Sequence, residues 1–147
     1  MVGDLFLAQA DAIIAAQNAV VAAESLGVGS CYIGDITEKY EYHRELLKLP
    51  QFVVPSAMLC FGYPTGQQMD RPKPPRFQVA DIVHENGYCM EKANAMDTML
   101  ALRTERSREE LEQWLVRFCD FKWNSEFSRE MSRSCAAMLR HWCGEKE

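Results

Sequence analysis

Ala22-Ala23-Glu24-Ser25-Leu26-Gly27-Val28-Gly29-Ser30-Cys31-Tyr32-Ile33-Gly34-Asp35 is the stretch on which the reading of this chain turns. It closes a long apolar segment, turns on two glycines, runs briefly extended and ends where a new helix can begin. Gly27 sits where a left-handed C-cap belongs, so a helix is expected to stop there. Cys31 to Gly34 reads as a very short extended piece. Asp35-Ile36-Thr37-Glu38 has the form of a capping box, opening a helix that runs toward Leu47 and stops before Pro50. Gly27-Val28-Gly29-Ser30 invites a phosphate-loop reading, but these glycines follow the C-terminal end of a helix, where the dipole is negative. A phosphate needs the opposite end. The start at Gly34-Asp35 does offer free N–H groups that could face a carbonyl or an electron-rich ring edge.

Upstream, Leu5 to Leu26 is rich in Ala, Ile, Val and Leu, and its polar positions Asp4, Asp11, Asn18 and Ser25 recur every seven residues. One narrow polar stripe on an otherwise apolar helix predicts a mostly buried, central core helix with Asp4 as its N-cap. Gln9, Asp11, Gln17 and Asn18 keep every apolar run well below the ~18 residues of a membrane span, so none is expected.

Downstream, Phe52 to Phe61 reads as a strand ended by Gly62-Tyr63-Pro64, with Pro55 confining it to an edge or an early position. Residues 63–76 form a loop with four prolines and the basic trio Arg71, Lys73 and Arg76. Phe77 to Glu85 reads as a second strand ending in the turn Asn86-Gly87. The remainder is helical. Ala93 to Arg103 comes first, followed by a helix opened by the capping box Ser107-Arg108-Glu109-Glu110 and carrying Leu111, Trp114, Leu115, Phe118 and Cys119 at helical spacing. Ser125 to Cys143 follows, with Phe127, Met131, Cys135, Met138 and Trp142 on one face. Two such apolar stripes need a partner surface, and leaving both bare exceeds the few hundred Å² that soluble monomers tolerate.

The whole chain is 147 residues, 48% hydrophobic and 25% charged, the balance of one globular domain. Its net charge of −5 and pI near 5.3 argue against nucleic acid as the main partner. Six cysteines include no C-x-x-C pair, which argues against a zinc ribbon or a thioredoxin-type motif. With no basic n-region before Asp4, no signal peptide is expected, and the cysteines read as reduced filler in a cytoplasmic protein.

Catalytic constellations are sparse. His84-Glu85 lacks the second histidine of a zinc-protease motif, since position 88 is Tyr, and His84 reads as a strand-end side chain. His43 and His141 stand among charged neighbours and read as exposed. Cys119 and His141 can be drawn as a thiol–imidazole pair, but packing already explains both faces. Arg71, Lys73 and Arg76 fit either an anion site or a solvated loop. No metal set and no nucleophile–base pair emerges.

Read together, Ala15-Ala16-Gln17-Asn18, the opening stretch from Ala22 to Gly34, Leu49-Pro50, Val53-Val54-Pro55, Phe61-Gly62-Tyr63-Pro64, Pro75-Arg76 and Ile82-Val83-His84-Glu85-Asn86 resemble the flavin-contacting region of the nitroreductase family. Residues Phe127 to Ser134 resemble the C-terminal arm of its NADPH-preferring branch. The resemblance implies an incomplete nitroreductase-like α+β fold, helix-rich with a small antiparallel sheet. It implies one domain over residues 1–147, with a core at about 4–88 and a C-terminal helical arm at about 92–143. It also implies a cytoplasmic homodimer with FMN at the interface, NAD(P)H as co-substrate and a small-molecule electron acceptor, with neither nucleic acid nor membrane as partner. Hydride would pass through flavin N5 to a nitro compound, a quinone or another flavin, so the cofactor carries the chemistry and no side chain is catalytic. By motif, Tyr32, Ile33, Gly34 and Asp35 line the isoalloxazine, and Lys73 and Arg76 approach the FMN phosphate. The family spaces that basic pair as Lys-x-Arg, whereas Pro74 stands two before Arg76 here. Family members carry a further N-terminal half ahead of the helix at Leu5, with an Arg-Ser-x-Arg-type phosphate grip. The alternative expectation is therefore a non-catalytic remnant or dimerising interaction module that holds flavin poorly.

Overall fold

The structure, a computed structural model, describes residues 1–144, excepting the side chains of residues 93 and 94. Helix α1 (Val2–Ser25) leads into strand β1 (Gly29–Ile33), a 3-10 turn (Asp35–Thr37), α2 (Tyr40–Leu46) and strand β2 (Met58–Gly62). Short helices α3 (Gly66–Asp70) and α4 (Val79–Ile82) precede α5 (Asn94–Thr104), α6 (Arg108–Trp123) and α7 (Glu126–Cys143). Two compact units result: Met1–Met69 with the chain from Asn124 onward, and Asp70–Trp123.

In the first unit β1 and β2 form an antiparallel ribbon with Gly29 opposite Gly62 and Ile33 opposite Met58. Gly27 has φ +75° and its N–H bonds the Glu24 carbonyl at 2.9 Å, the left-handed stop expected of it. The helix begins earlier than its sequence suggests. Met1 is the cap, and Asp4 lies at the third helical position, accepting from the Met1 amine at 2.8 Å. Helix α7 does start on Ser125, whose hydroxyl accepts the Ser128 N–H at 3.1 Å, and ends on left-handed Gly144. Among the described residues of this unit, Leu5, Tyr40, Ser134 and Met138 are buried. Trp142 ties α7 to the start of α1 through a 3.0 Å bond from Nε1 to the Met1 carbonyl, and it meets Phe52 edge-on at 5.7 Å.

Helix α1 is not the central core helix its stripe suggests. Leu5 is its one buried residue, while Phe6, Leu7, Ile13, Ile14 and Val21 are exposed. A helix apolar on nearly every side needs cover on every side, and β1 and α7 cover one. Among the described residues α1 is also the helix long and apolar enough to cross a membrane, by length and composition only.

Two further expectations give way. Asp35 opens a single 3-10 turn instead of a helix to Leu47, because Lys39 adopts φ +50° and the chain restarts at Tyr40. The strand expected from Phe52 begins only at Met58. Phe52 has φ +64° and the Val53 N–H turns back to the Pro50 carbonyl at 3.3 Å, so the extended run starts after Pro55.

The second unit holds no strand among its described residues. Phe77 to Glu85 contains α4 instead, with the Gln78 N–H bonded to the Asp81 carboxylate at 3.1 Å. A strand needs a ladder partner, and a single turn satisfies its donors locally. Helix α6 opens on the expected reciprocal cap, Ser107 N–H to Glu110 Oε2 at 2.9 Å and Glu110 N–H to Ser107 Oγ at 3.3 Å. Leu111 is buried, Trp114 stacks on Phe118 at 4.9 Å, and the Arg106 guanidinium sits 5.0 Å over the Trp114 ring.

Candidate functional site

Strand β1 delivers Tyr32 and Ile33 to the turn at Gly34. Its alternation places Tyr32 on the α1 side, where its hydroxyl reaches Gln17 Oε1 at 3.4 Å, and leaves the ring partly exposed. Gly34 caps the 3-10 turn at φ −78°, an angle open to any residue, and a Cβ built on it would meet nothing within 4 Å. The glycine therefore leaves free space over its own backbone. Thr37 fixes the turn from below: its hydroxyl bonds the Gly34 carbonyl at 3.0 Å and Met131 Sδ on α7 at 2.9 Å. The turn begins with N–H groups that have no acceptor within it, and Gly34 and Asp35 are exposed. A flat, acceptor-edged ring such as isoalloxazine fits this arrangement of bare backbone, open space and an adjoining aromatic.

Lys73 and Arg76 lie in the second unit, both exposed, in the proline-rich stretch before α4. Arg76 lines a small cavity of about 190 Å³ with Gln78, Asp81, Thr98, Met99 and Leu102. A larger cavity, about 440 Å³, opens between α5 and α6 with Asp97, Arg108 and Leu111 in its wall. Tyr32, Ile33, Gly34 and Asp35 thus form one continuous stretch, from the end of β1 into the turn, in one unit, and the basic pair belongs to the other.

The histidines are more embedded than their charged neighbours suggest. His43 Nδ1 meets the Glu38 carbonyl at 2.8 Å. His141 is half-buried against Tyr40 at 6.1 Å, with Nε2 enclosed and no hydrogen-bond partner among the described residues. His84 is not at a strand end: its Nδ1 accepts the Cys89 N–H at 2.9 Å and its ring stacks on Tyr88 at 4.6 Å. Cys119 and His141 fall in different units. Among the described residues no three His, Cys, Asp or Glu gather as a metal site.

One cluster escaped the sequence reading. Arg133 grips Glu41 of α2 through two bonds of 2.8 and 2.7 Å and Glu130 through two of 2.9 and 2.8 Å. Buried Ser134 donates to Glu130 at 2.9 Å and accepts the Tyr40 N–H at 3.1 Å. Hydrogen bonds from Arg133, then from Ser134, pull the Glu130 carboxyl down to about 2, and Arg133 lowers Glu41 as well. The available signal was Ser134 itself, a polar residue at helical spacing between Met131 and Met138. The cluster fixes α2 on α7, and so holds Met131 beneath the Gly34 turn.

The comparisons point one way. The nitroreductase family model matches residues 2–63, which include the Tyr32–Asp35 turn but neither Lys73 nor Arg76. A Cr(VI) reductase of Pseudomonas sp. strain G-1 is 40% identical over 118 residues, covering 76% of this chain and 47% of that protein. An oxygen-insensitive NADPH nitroreductase of Salmonella typhimurium is 46% identical over 85 residues, covering 57% of this chain and 34% of its own length. NfrA1 of Bacillus megaterium superposes with TM-score 0.66 at 29% identity, covering 92% of this chain and 57% of that one. The NfrA1 nitroreductase of Bacillus subtilis gives 0.63 at 28% identity, over 87% and 54%. The chain spans half or less of the two curated relatives and just over half of the two solved chains. Its helix-rich α+β fold with a small antiparallel ribbon is the nitroreductase fold in part, and residues 2–63 carry its match to the nitroreductase family model.

Proposed function

We propose that this chain supplies the ring-binding turn of an FMN-dependent oxidoreductase that uses NAD(P)H to reduce nitro compounds, quinones or flavins. The observation that carries the reading is the Gly34 turn: exposed backbone, open space and Tyr32 beside it, inside the family-matched stretch. Bound FMN supplies hydride acceptance and onward electron transfer. The protein's share is binding and orientation. The Gly34 and Asp35 N–H groups donate toward the ring edge, Tyr32 and Ile33 flank it, and Thr37 holds the turn against Met131. Lys73 and Arg76 supply the charge suited to a phosphate, Arg76 through its planar fork. A cytoplasmic homodimer with FMN at the interface completes the proposal.

Titration of FMN into the chain, followed by flavin fluorescence, tests it. Saturable one-to-one binding is expected. Gly34→Val should fold normally, since its φ is ordinary and no atom of the chain stands in the way, yet weaken FMN tenfold or more, about 1.4 kcal/mol. Unchanged binding by that variant would remove the turn from the site. A second reading, an interaction module with poor flavin binding, draws on the exposed apolar face of α1. Absence of flavin binding together with stable self-association would favour it.

A further inference from the structure

Two of the six cysteines stand directly opposite each other: the ribbon register pairs Cys31 of β1 with Cys60 of β2, and both are exposed free thiols. Directly opposed residues of an antiparallel pair project from the same face, here alongside Ile33 and Met58 and away from the Tyr32 side that meets α1. We propose that Cys31 and Cys60 form a reversible cross-strand disulfide, a redox-modification site one residue before Tyr32.

The geometry is within reach. Opposed α-carbons in such ladders lie about 4.5–5.5 Å apart, inside the roughly 4.4–6.8 Å that disulfides span. Opposed β-carbons lie about 4.5–5.5 Å apart, whereas a disulfide draws them to about 3.5–4.5 Å, so the ribbon must pinch by about 1 Å. An exposed bridge formed under that constraint is easily reduced, which suits a regulatory bond better than a structural one. The alternatives on the same unit are poorer. Cys135 and Cys143 share α7 but are eight residues apart, about 12 Å of helical rise and beyond bridging distance.

A low-molecular-weight disulfide such as oxidised glutathione is the oxidant. One cysteine thiolate attacks an oxidant sulfur and releases the first glutathione. The second cysteine thiolate then attacks the mixed disulfide at the protein sulfur and releases the other. The protein loses two electrons and two protons overall, and one oxidised glutathione becomes two reduced ones. The Cys31 thiol lies 3.7 Å from the Tyr32 carbonyl as a weak donor, and oxidation removes that donor from the head of the Gly34 turn.

Lys39, Arg44 and Lys48 separate the two cysteines, so trypsin places them on different peptides that only a bridge joins. The native 147-residue chain treated with oxidised glutathione should lose the free thiols of Cys31 and Cys60 and yield the Cys31–Cys60 linked pair within one chain. In Cys60→Ser, Cys31 should stop at its glutathione adduct, and dithiothreitol should reverse both. Separate adducts on Cys31 and Cys60 in the wild type, a different linked pair, or bridges between chains would overturn the assignment. The thiol map reads out whether or not the chain binds flavin.

Discussion

Ser134 has no solvent exposure, and its hydroxyl serves the Tyr40 N–H and the Glu130 carboxylate at once. Replacing it with alanine removes both bonds, and a third that it accepts from Arg133 Nη2 at 3.2 Å, in a buried position. Ser134→Ala should lower the unfolding free energy by about 1–3 kcal/mol, read as a lower denaturant midpoint at constant slope. A loss near zero would mean that water takes the hydroxyl's place. Next to it, Glu130 titrates near 2 instead of its ordinary 4.5, and Glu41 is lowered by the same Arg133. Depressed carboxylates contribute stability that is complete above the ordinary value and lost as pH falls through the folded value. Stability should therefore decline between pH 4.5 and pH 2 more steeply in the wild type than in Arg133→Gln. Salt should shrink the difference, because Arg133 and Glu41 are exposed and Glu130 is only half-buried, so the cluster is screened. Equal slopes in thermal melts across that range would deny the cluster its role.

Among the elements, two glycines of the same stretch make opposite predictions. Gly27 holds φ +75° and Gly34 holds φ −78°, and neither is crowded. Gly27→Ala should cost about 1–2 kcal/mol from the left-handed backbone alone, while Gly34→Ala should leave the melting temperature nearly unchanged. Circular-dichroism melts of the two variants check the contrast. The same distinction explains what the sequence could reveal. Two boundaries set by local chemistry were legible: the Gly27 stop and the Ser107–Glu110 box both act through bonds spanning three residues. Elements bounded by long-range contact were not. Phe77 to Glu85 has strand composition, yet strand formation depends on a partner that composition cannot supply, and Gln78 and Asp81 close a turn there. Lys39 and Phe52 take left-handed angles that their residue types do not announce. The ring-side candidates Tyr32 to Asp35 were readable as one motif because they are consecutive. The joining of Glu41 to the Glu130–Arg133 pair was not, because Arg133 stands 92 positions from Glu41.

At the scale of the molecule, the outstanding fact is the bare side of α1. Leu7, Ile14 and Val21 recur every seven residues and lie away from buried Leu5, at 68%, 63% and 58% exposure. Such a line needs an occupant, and a bilayer or protein could serve. The helix is long enough to span one. But Asp11, Gln17 and Asn18 lie near its middle, where a membrane charges several kcal/mol for a carboxylate or places amides without partners. A protein surface accepts the same residues at its rim, so a second copy of this chain is the occupant we expect. Sedimentation at micromolar concentration should show a dimer, and Leu7→Gln with Ile14→Gln should shift it toward monomer. Glutamine is a good helix former, so the far-ultraviolet spectrum should hold while the mass falls. A well-folded monomeric wild type, or one that instead co-sediments with neutral lipid vesicles, would show that α1 is covered by something other than itself.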